Sequence, residues 1–317
     1  MTSRPSETSV RVAVVQAGAV PFDTDACVDK AIRLIGEAAA TGANVMVFPE
    51  AFIPGYPKGL NFGSVVGARD PGGREEFRLY LEGAIEVPGP QTQKLGKAAA
   101  VSGAYVVIGV IEREHGTCYC TALFLGPDGR LLGKHRKLMP TAMERLVWGF
   151  GDGSTLTVVD SPYGRIGSVI CWENYMPMLR MAMYAKDVAL YCAPTADDRD
   201  TWLPTMRHVA LEGRCFVLTA CQFIRKNAFP KTVRLVLGDA PDAVLMRGGS
   251  AIVGPLGNVL AGPNYEGETI LTATLDLNDI GRGKFDFDAV GHYSRPDVFK
   301  LIVNESPASP VVSDEEK

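Results

Sequence analysis

A layered α/β sandwich, in which two mixed sheets face each other beneath covering helices, is the architecture expected of this chain. Two patterns carry that expectation. Strand, helix and strand follow one another over residues 10–48, and the same order returns over residues 166–192. A Gly-Pro-x-Gly turn between apolar runs also occurs twice, at Gly126-Pro127-Asp128-Gly129 and at Gly254-Pro255-Leu256-Gly257. Two similar halves, each a sheet with faces to bury, satisfy one another by packing together. A chance likeness between common βαβ and hairpin pieces is the competing account of the echo.

Residues 10–16 open the fold as a strand, β-branched and apolar without alternation, as a strand covered on both faces should be. A helix follows: Asp23 or Thr24 can cap it, Val28, Ile32, Ile35 and Ala39 recur at helical spacing, and Gly42 can end it. Residues 45–48 form the next strand, which runs out at Pro49-Glu50 and so leaves a carboxylate at its C-terminal end. Residues 55–83 are rich in Gly and charge and show no assignable period; a segment of that length points to function. Pro90 opens a helix over 91–101, a strand follows over 105–111, and residues 123–125 and 130–132 flank the first Gly-Pro turn as a hairpin. In the second half, strand 166–170, helix 178–185 introduced by Pro177, strand 188–192 and hairpin 251–260 repeat the scheme.

With 317 residues, 46% hydrophobic and 21% charged, the chain has ample length for a large core. Length alone suggests about two domains. No composition break divides the middle, so one domain over residues 10–304 is expected, with 1–9 and 305–317 as mobile tails rich in Ser, Pro and charge. A net charge of −4 and a pI near 5.7 argue against nucleic acid as a partner. The basic run Lys134-His135-Arg136-Lys137 is short and reads as a solvated loop. Apolar stretches fall short of the ~20 residues that span a bilayer, and the N-terminus lacks a signal-peptide core, so no membrane partner and a cytoplasmic location are expected. Seven cysteines, scattered and odd in number, do not make a disulfide framework. His115, Cys118 and Cys120 come nearest to a metal set, but they lack a second ligand cluster and alternate as strand neighbours do; no metal or other cofactor is expected.

Three apolar runs end in reactive side chains: Phe48-Pro49-Glu50, the segment from His135 through Lys137 to Pro140, and Val169-Ile170-Cys171. A thiol where a buried strand opens into a loop is well placed for nucleophilic attack, because the backbone is fixed and nearby N–H groups can face developing charge. Each residue also has a plain structural reading. Cys171 suits a core position, Glu50 a helix cap, and Lys137 a solvated loop. Glu173, two residues from Cys171, is a rival base that spacing does not exclude. Of His115, His135, His208 and His292, only His135 lies near one of these segments, so a Cys-His dyad has little support. Tyr56 after the Glu50 strand, Trp172 after Cys171 and Pro194 at the end of the following strand are placed to line a pocket, and could equally be packing residues.

Taken together, Phe48-Pro49-Glu50-Ala51-Phe52, His135-Arg136-Lys137-Leu138-Met139-Pro140-Thr141 and Cys171-Trp172-Glu173-Asn174 match one pattern. The chain resembles the nitrilase superfamily of carbon–nitrogen hydrolases from about residue 10 to the segment 291–297. Trp172 beside the nucleophile and the stretch 143–153 are similar to the nitrilase branch, particularly its plant-type and related bacterial members. The resemblance implies a four-layer αββα sandwich of two mixed sheets with helices on the outer faces. It implies Cys171 as nucleophile, Glu50 as general base and acid, Lys137 as electrostatic stabiliser, Glu144 as a second glutamate beside them, and a supporting hydrogen-bond role for Glu173. The implied reaction takes a small nitrile and water to a carboxylic acid and ammonia. Homo-oligomers, including spiral or filamentous ones, are also implied, with segments 223–247 and 292–303 as contact surfaces. An amidase or carbamoylase, or a cyanide hydrolase, would use the same three residues; a non-catalytic binding protein of this fold would have no need to keep Glu50, Lys137 and Cys171 intact.

Overall fold

The computed structural model describes residues 7–309 and residue 311. Two six-stranded sheets dominate it. The first runs in the order Thr269–Asp276, Ser9–Gln16, Val45–Val47, Tyr105–Glu114, Thr117–Leu125 and Leu131–Arg136. Its members Ser9–Gln16, Val45–Val47 and Tyr105–Glu114 are parallel, and the flanking pairs are antiparallel. The second runs Val259–Asn264, Ser250–Val253, Phe216–Cys221, Val188–Thr195, Arg165–Ser168 and Val158–Val159, again with three parallel strands between antiparallel flanks. The echo in the sequence is thus a repeated sheet plan, with both Gly-Pro turns joining antiparallel neighbours.

Strand periodicity decides which layer each residue enters. Val10, Val12 and Val14 point between the sheets and meet Leu190, Cys192, Phe216, Leu218 and Ile252 from the opposite one. Ala13 and Val15 turn the other way, onto helices Thr24–Ala40 and Pro90–Ser102 through Val28, Ile35, Leu95 and Ala99. In the second half Tyr191, Ala193 and Val217 pack on helices Pro177–Ala185 and Trp202–Gly213 through Leu179, Met183, Met206 and Val209. Helix, sheet, sheet and helix are therefore stacked as expected. Each fully buried Val, Leu, Ile or Phe contributes roughly 1.5–3 kcal/mol.

Local signals set the helix starts. Asp23 accepts a hydrogen bond from Ala26 N at 2.9 Å, and Pro90 and Pro177 stand at first positions, where a missing N–H costs nothing. The segment 55–83, unassigned from sequence, holds a small hairpin, Ser64–Val65 with Ala68–Arg69, and a helix, Pro71–Gly83. Asp70 caps that helix through Gly73 N at 2.6 Å. Glycines in its first turn hide it from periodicity, yet Gly73 is required: a Cβ there would stand 1.9 Å from Phe62 O.

Residues close to both termini make specific contacts. Ser9 already belongs to a strand and pairs with Asp276, Thr8 O accepts from Leu277 N at 2.9 Å, and Glu7 N donates to Pro162 O at 3.1 Å. Beyond residue 304, Glu305 pairs with Lys186 at 2.8 Å and Ala308 N donates to Asp152 Oδ2 at 2.8 Å. Backbone and charged partners on the domain surface fix these residues despite their polar composition. Residues 1–6, 310 and 312–317 of the expected tails lie outside the described residues.

Candidate active site

Glu50 follows the central strand Val45–Val47 of the first sheet. Phe48 N donates to Val107 O and Phe52 N to Gly109 O, both at 2.8 Å, so the Pro49–Ala51 turn is pinned at each end to the neighbouring strand. Gly109 permits this approach, because a Cβ there would stand 2.3 Å from Pro49 O and 2.7 Å from Glu50 Cα. From the other sheet, buried Gln222 donates Nε2 to Glu50 O at 3.0 Å and accepts from Ala19 N at 2.9 Å. Both sheets thereby hold the backbone of this glutamate.

Cys171 begins a 3₁₀ turn, Cys171–Tyr175, just beyond strand Arg165–Ser168. Its φ of +53° lies in the left-handed region, which costs a non-glycine residue about 1–3 kcal/mol and persists only where the surroundings impose it. Asn174 Nδ2 imposes it by donating to Cys171 O at 2.8 Å and Val169 O at 3.1 Å. Glu173 completes the brace: Oε2 accepts from Ile170 N and meets His135 Nε2, both at 2.9 Å, and Oε1 accepts from Leu138 N at 2.7 Å. The rival base is thus committed to joining the Cys171 turn to the Lys137 segment. The other nitrogen of His135 faces Thr155 O at 2.9 Å. Both partners are acceptors, so the buried ring carries both protons; burial pulls its pKa down, but the Glu173 charge and these bonds outweigh it and raise it.

The basic run 134–137 is strand, not solvated loop. Residues 131–136 pair with Thr117–Leu125, and Lys137 N continues the ladder to Cys120 O at 2.8 Å. Alternation sends Lys134 and Arg136 to one face and His135 and Lys137 to the other, toward the second sheet. Lys137 is completely buried there because carboxylates replace its water: Nζ lies 2.7 Å from Glu50 Oε1 and 2.7 Å from Glu144 Oε2. Glu144 sits in the 3₁₀ turn Ala142–Leu146, with Oε2 accepting from Thr141 N at 2.6 Å and Oε1 from Tyr56 OH at 2.7 Å. Thr195 Oγ1 donates to Cys171 Sγ at 3.3 Å, and Cys120 Sγ to Glu50 Oε1 at 3.5 Å. Glu50 Oε2 is buried without a hydrogen-bond partner among the described residues.

The electrostatics follow from this count of charges. Burial raises the Glu50 pKa, the Lys137 charge opposes it, and Glu144 adds to the rise. Burial works against the Lys137 ammonium, yet the Glu50 charge, with that of Glu144, prevails and holds its pKa well above the ordinary lysine value. Burial, then the Glu50 charge, pushes the Cys171 thiol up to about 12 against the pull of Lys137. At neutral pH the resting group is a thiol, which needs a base before it can attack.

Above these groups opens a cavity of about 190 Å³, walled by Cys171, Glu144, Tyr56 and Trp172 and rimmed by Lys58, Asp197, Asp198 and Arg199. Glu50 and Lys137 do not line it; Glu144, which does, joins it to Lys137 at 2.7 Å. Trp172 Nε1 donates to Asp197 Oδ2 at 2.8 Å, while Arg199 binds the same carboxylate at 2.8 Å and covers the indole face at 4.7 Å. Of the three residues placed to line a pocket, Tyr56 and Trp172 do so. Pro194 does not: its strand continues to Thr195, which leaves it buried beside Ala220 within the sheet. Sequence reasoning missed Thr195, Gln222, Asp197 and Arg199. A signal for the last two existed, since the charged run 197–200 follows a mostly apolar strand after a single alanine. Among the described residues no group of three or more His, Cys, Asp or Glu suits a metal ion, and Cys118 and Cys120 are buried strand neighbours.

The model of the carbon-nitrogen hydrolase family matches residues 11–285. The chain is 65% identical over 306 residues to the aliphatic nitrilase of Sinorhizobium fredii (strain HH103), covering 96% of this chain and 99% of the relative. It is 55% identical over 316 residues to the bifunctional nitrilase/nitrile hydratase NIT4A of Lupinus angustifolius, covering 98% and 90%. Among solved structures, Saccharomyces cerevisiae Nit3, a member of branch 10 of the nitrilase superfamily, superposes with a TM-score of 0.70 at 23% identity, over 92% of this chain and 99% of that one.

Proposed function

The chain belongs to the carbon–nitrogen hydrolase family, on its nitrilase branch, and from that membership we propose that it hydrolyses an organic nitrile to a carboxylic acid and ammonia through a covalent Cys171 intermediate. One observation carries the reading: a buried lysine ammonium lies 2.7 Å from each of two carboxylates, and one of these, Glu144, lines the same cavity as a conformationally strained cysteine.

Glu50, through its unpartnered Oε2, takes the thiol proton as the sulfur adds to the nitrile carbon. The displaced π electrons move to nitrogen, which receives that proton, and a thioimidate results. A first water adds to the same carbon; the nitrogen gains protons, the C–N bond breaks, and ammonia leaves an acyl thioester. A second water adds, the C–S bond breaks, and the acid departs as the thiol regains its proton. Lys137 stays charged throughout and steadies negative charge on nitrogen and then on oxygen. Two waters are consumed per nitrile.

Release of ammonia and acid from a nitrile panel, run beside matching amides, tests this reading against the amidase alternative. Native protein should turn over the nitriles, and Cys171→Ala should lose both turnover and the covalent adduct seen by mass spectrometry. Activity retained in that variant would overturn the nucleophile assignment.

A second product is favoured by the paired carboxylates on Lys137. If the first tetrahedral intermediate loses sulfur before nitrogen, an amide is released, and the choice depends on which leaving group is protonated. The Lupinus relative carries both names. Glu144 adjoins the cavity as well as Lys137, so Glu144→Gln should alter the acid-to-amide ratio; an unchanged rate and ratio would remove it from this step.

The same reading takes residues 10–304 as one catalytic domain that assembles into homo-oligomers, with an open spiral as one arrangement. Exposed Tyr293, Phe299 and Ile302 in segment 292–303 and Val244 in 223–247 support contact surfaces there. A cytoplasmic location is proposed with it; no helix among the described residues is long and apolar enough to cross a membrane.

A further inference from the structure

A second chamber, of about 330 Å³, adjoins the cavity above Cys171 and shares Tyr56, Lys58 and Glu144 with it. The two differ in chemistry. Around Cys171 the rim is charged, through Lys58, Asp197, Asp198 and Arg199. The chamber behind Tyr56 is lined chiefly by apolar groups, among them Leu60, Met143, Leu146, Val147, Trp148 and Leu237. Tyr56 stands between them, its hydroxyl fixed to Glu144 Oε1 at 2.7 Å and its ring edge-on to Trp148 at 5.7 Å.

The chamber wall is built, not incidental. Leu60 pairs with Leu235, and Val236 N donates to Gly59 O at 2.7 Å, which binds segments 57–62 and 233–237 together. Arg234 secures the second segment to helix Pro71–Gly83 and its cap: its backbone N and Nε reach buried Glu76 Oε1 at 2.9 and 3.0 Å, and its guanidinium reaches both oxygens of Asp70 at 3.1 Å. On the opposite side the 3₁₀ turn Ala142–Leu146 serves both spaces, sending Glu144 to Lys137 and Met143 and Leu146 to the chamber.

We propose that this chamber is a subsite for the apolar tail of the substrate, so that the enzyme selects nitriles by the length of the hydrocarbon chain behind the reacting carbon. The inference rests on the nitrile-hydrolysing reading and sharpens it. Around Cys171 the charged rim leaves Tyr56, Trp172 and Ala196 as the apolar groups, whereas most residues lining the adjoining space are apolar and can bury an alkyl tail. Each methylene moved from water into such a lining is worth about 0.8 kcal/mol, close to a fourfold gain in kcat/KM.

The test is kcat/KM across unbranched saturated nitriles from propionitrile to octanenitrile, for native protein and for Leu146→Asp and Leu237→Asp. Leu146 and Leu237 are exposed, so the variants should fold, and far-UV circular dichroism together with the elution volume on size exclusion checks that they do. Native protein should gain about fourfold per methylene over several members and then level off. In both variants the gain should fall below twofold per methylene, read as the ratio of each nitrile to propionitrile in the same protein. A flat native series would overturn the inference and leave the nitrilase reading intact. A native slope that survives both substitutions, or a uniform loss that includes propionitrile, would also overturn it. Absence of turnover on every nitrile would fell the underlying reading and the subsite with it.

Discussion

The four residues Lys134 to Lys137 supply two charge clusters of different make-up, one on each side of a single strand. On the outer side, Glu112 is held by two cations, Lys134 Nζ at 2.5 Å and the Arg136 guanidinium at 2.6 and 2.9 Å, and Thr121 Oγ1 donates to it at 3.0 Å; Arg136 also reaches Glu114 at 3.0 Å, so two cations balance two carboxylates. On the inner side one cation, Lys137, is held by two carboxylates. The stoichiometry reverses the consequence. Burial would raise the Glu112 pKa, but Arg136 and Lys134 overcome it and lower it, so this acid stays ionised and its oxygens stay occupied. Burial raises the Glu50 pKa with only one shared cation to oppose it, and one of its oxygens has no partner. A saturated cluster stabilises; a cluster short of one positive charge can move a proton.

The largest expected break in this contrast is Lys137→Met. It leaves two buried carboxylates that shared one cation and removes the group proposed to stabilise developing charge, so turnover of nitriles should fall by roughly a thousandfold or more. The stability lost from the unpaired charges should be partly recovered at acidic pH, where the carboxylates take up protons. Equal melting temperatures for native and variant at every pH would show that the two acids do not share the lysine. Glu50→Gln should reduce turnover by roughly 10²–10⁴-fold, the range for loss of a general base. The mirror experiment, Glu112→Gln, should leave kcat/KM within about twofold and cost about 1–3 kcal/mol of stability, because Lys134 and Arg136 are partly open to water and can rehydrate.

The pH dependences of the two clusters run in opposite directions. A carboxyl whose folded pKa is lowered, as at Glu112, lends stability above the ordinary carboxylate pKa and loses it as pH falls through the folded value. One whose folded pKa is raised, as at Glu50, favours the fold below the ordinary value and loses that contribution as pH rises through the folded value. Denaturant titrations from about pH 3 to pH 8 should therefore show the acid loss shrinking in Glu112→Gln, while Glu50→Gln should gain on native protein as pH rises. For activity the raised Glu50 pKa sets an acid limb above the usual carboxylate range, since a protonated Glu50 cannot act as base. Alkylation of resting Cys171 by iodoacetamide should continue to accelerate from pH 8 to pH 11, because its thiol titrates at about 12. A plateau near neutrality would mean that the thiolate already exists at rest.

The same contrast explains what the sequence disclosed and what it withheld. Strand ends announced Glu50, Cys171 and the Lys137 segment, because an apolar run followed by a reactive side chain is visible over a few residues, and the family pattern joined them and added Glu144. The repeated strand, helix, strand and hairpin order announced the layered fold. The burial of Lys137 was not visible, since locally it is one basic residue among four and one of its two counter-charges lies 87 residues away at Glu50. Gln222 is more remote still, 172 residues from the carbonyl that it supports. Pro194 and Thr195 differ by one position along a strand, and only the sheet register decides which of them reaches the nucleophile. The helix Pro71–Gly83 was legible in principle, through Asp70 as cap and Pro71 at its first position, but the glycines that let it pack on Phe62 O broke the helical period.

Tyr56→Phe should give the smallest effect and the most specific one. Its hydroxyl donates to Glu144 Oε1 at 2.7 Å, on the side of the carboxylate away from Lys137. Burial first, and the Glu144 charge second, hold the phenol pKa well above the ordinary tyrosine value, so it remains a donor throughout the working pH range. Removing that donor leaves one carboxylate oxygen underbonded beside the cavity, at a cost of about 1–3 kcal/mol. Part of that cost is relieved if Glu144 takes up a proton more readily. A proton held there is closer to the reacting centre when the tetrahedral intermediate divides, so the acid-to-amide ratio should change while the total rate falls by about tenfold or less. Measuring both products from one nitrile, in native protein and in the variant, separates the outcomes: a slower reaction with an unaltered ratio would assign Tyr56 to packing against Trp148 alone, and an altered ratio would connect the hydroxyl to the proton that decides the leaving group.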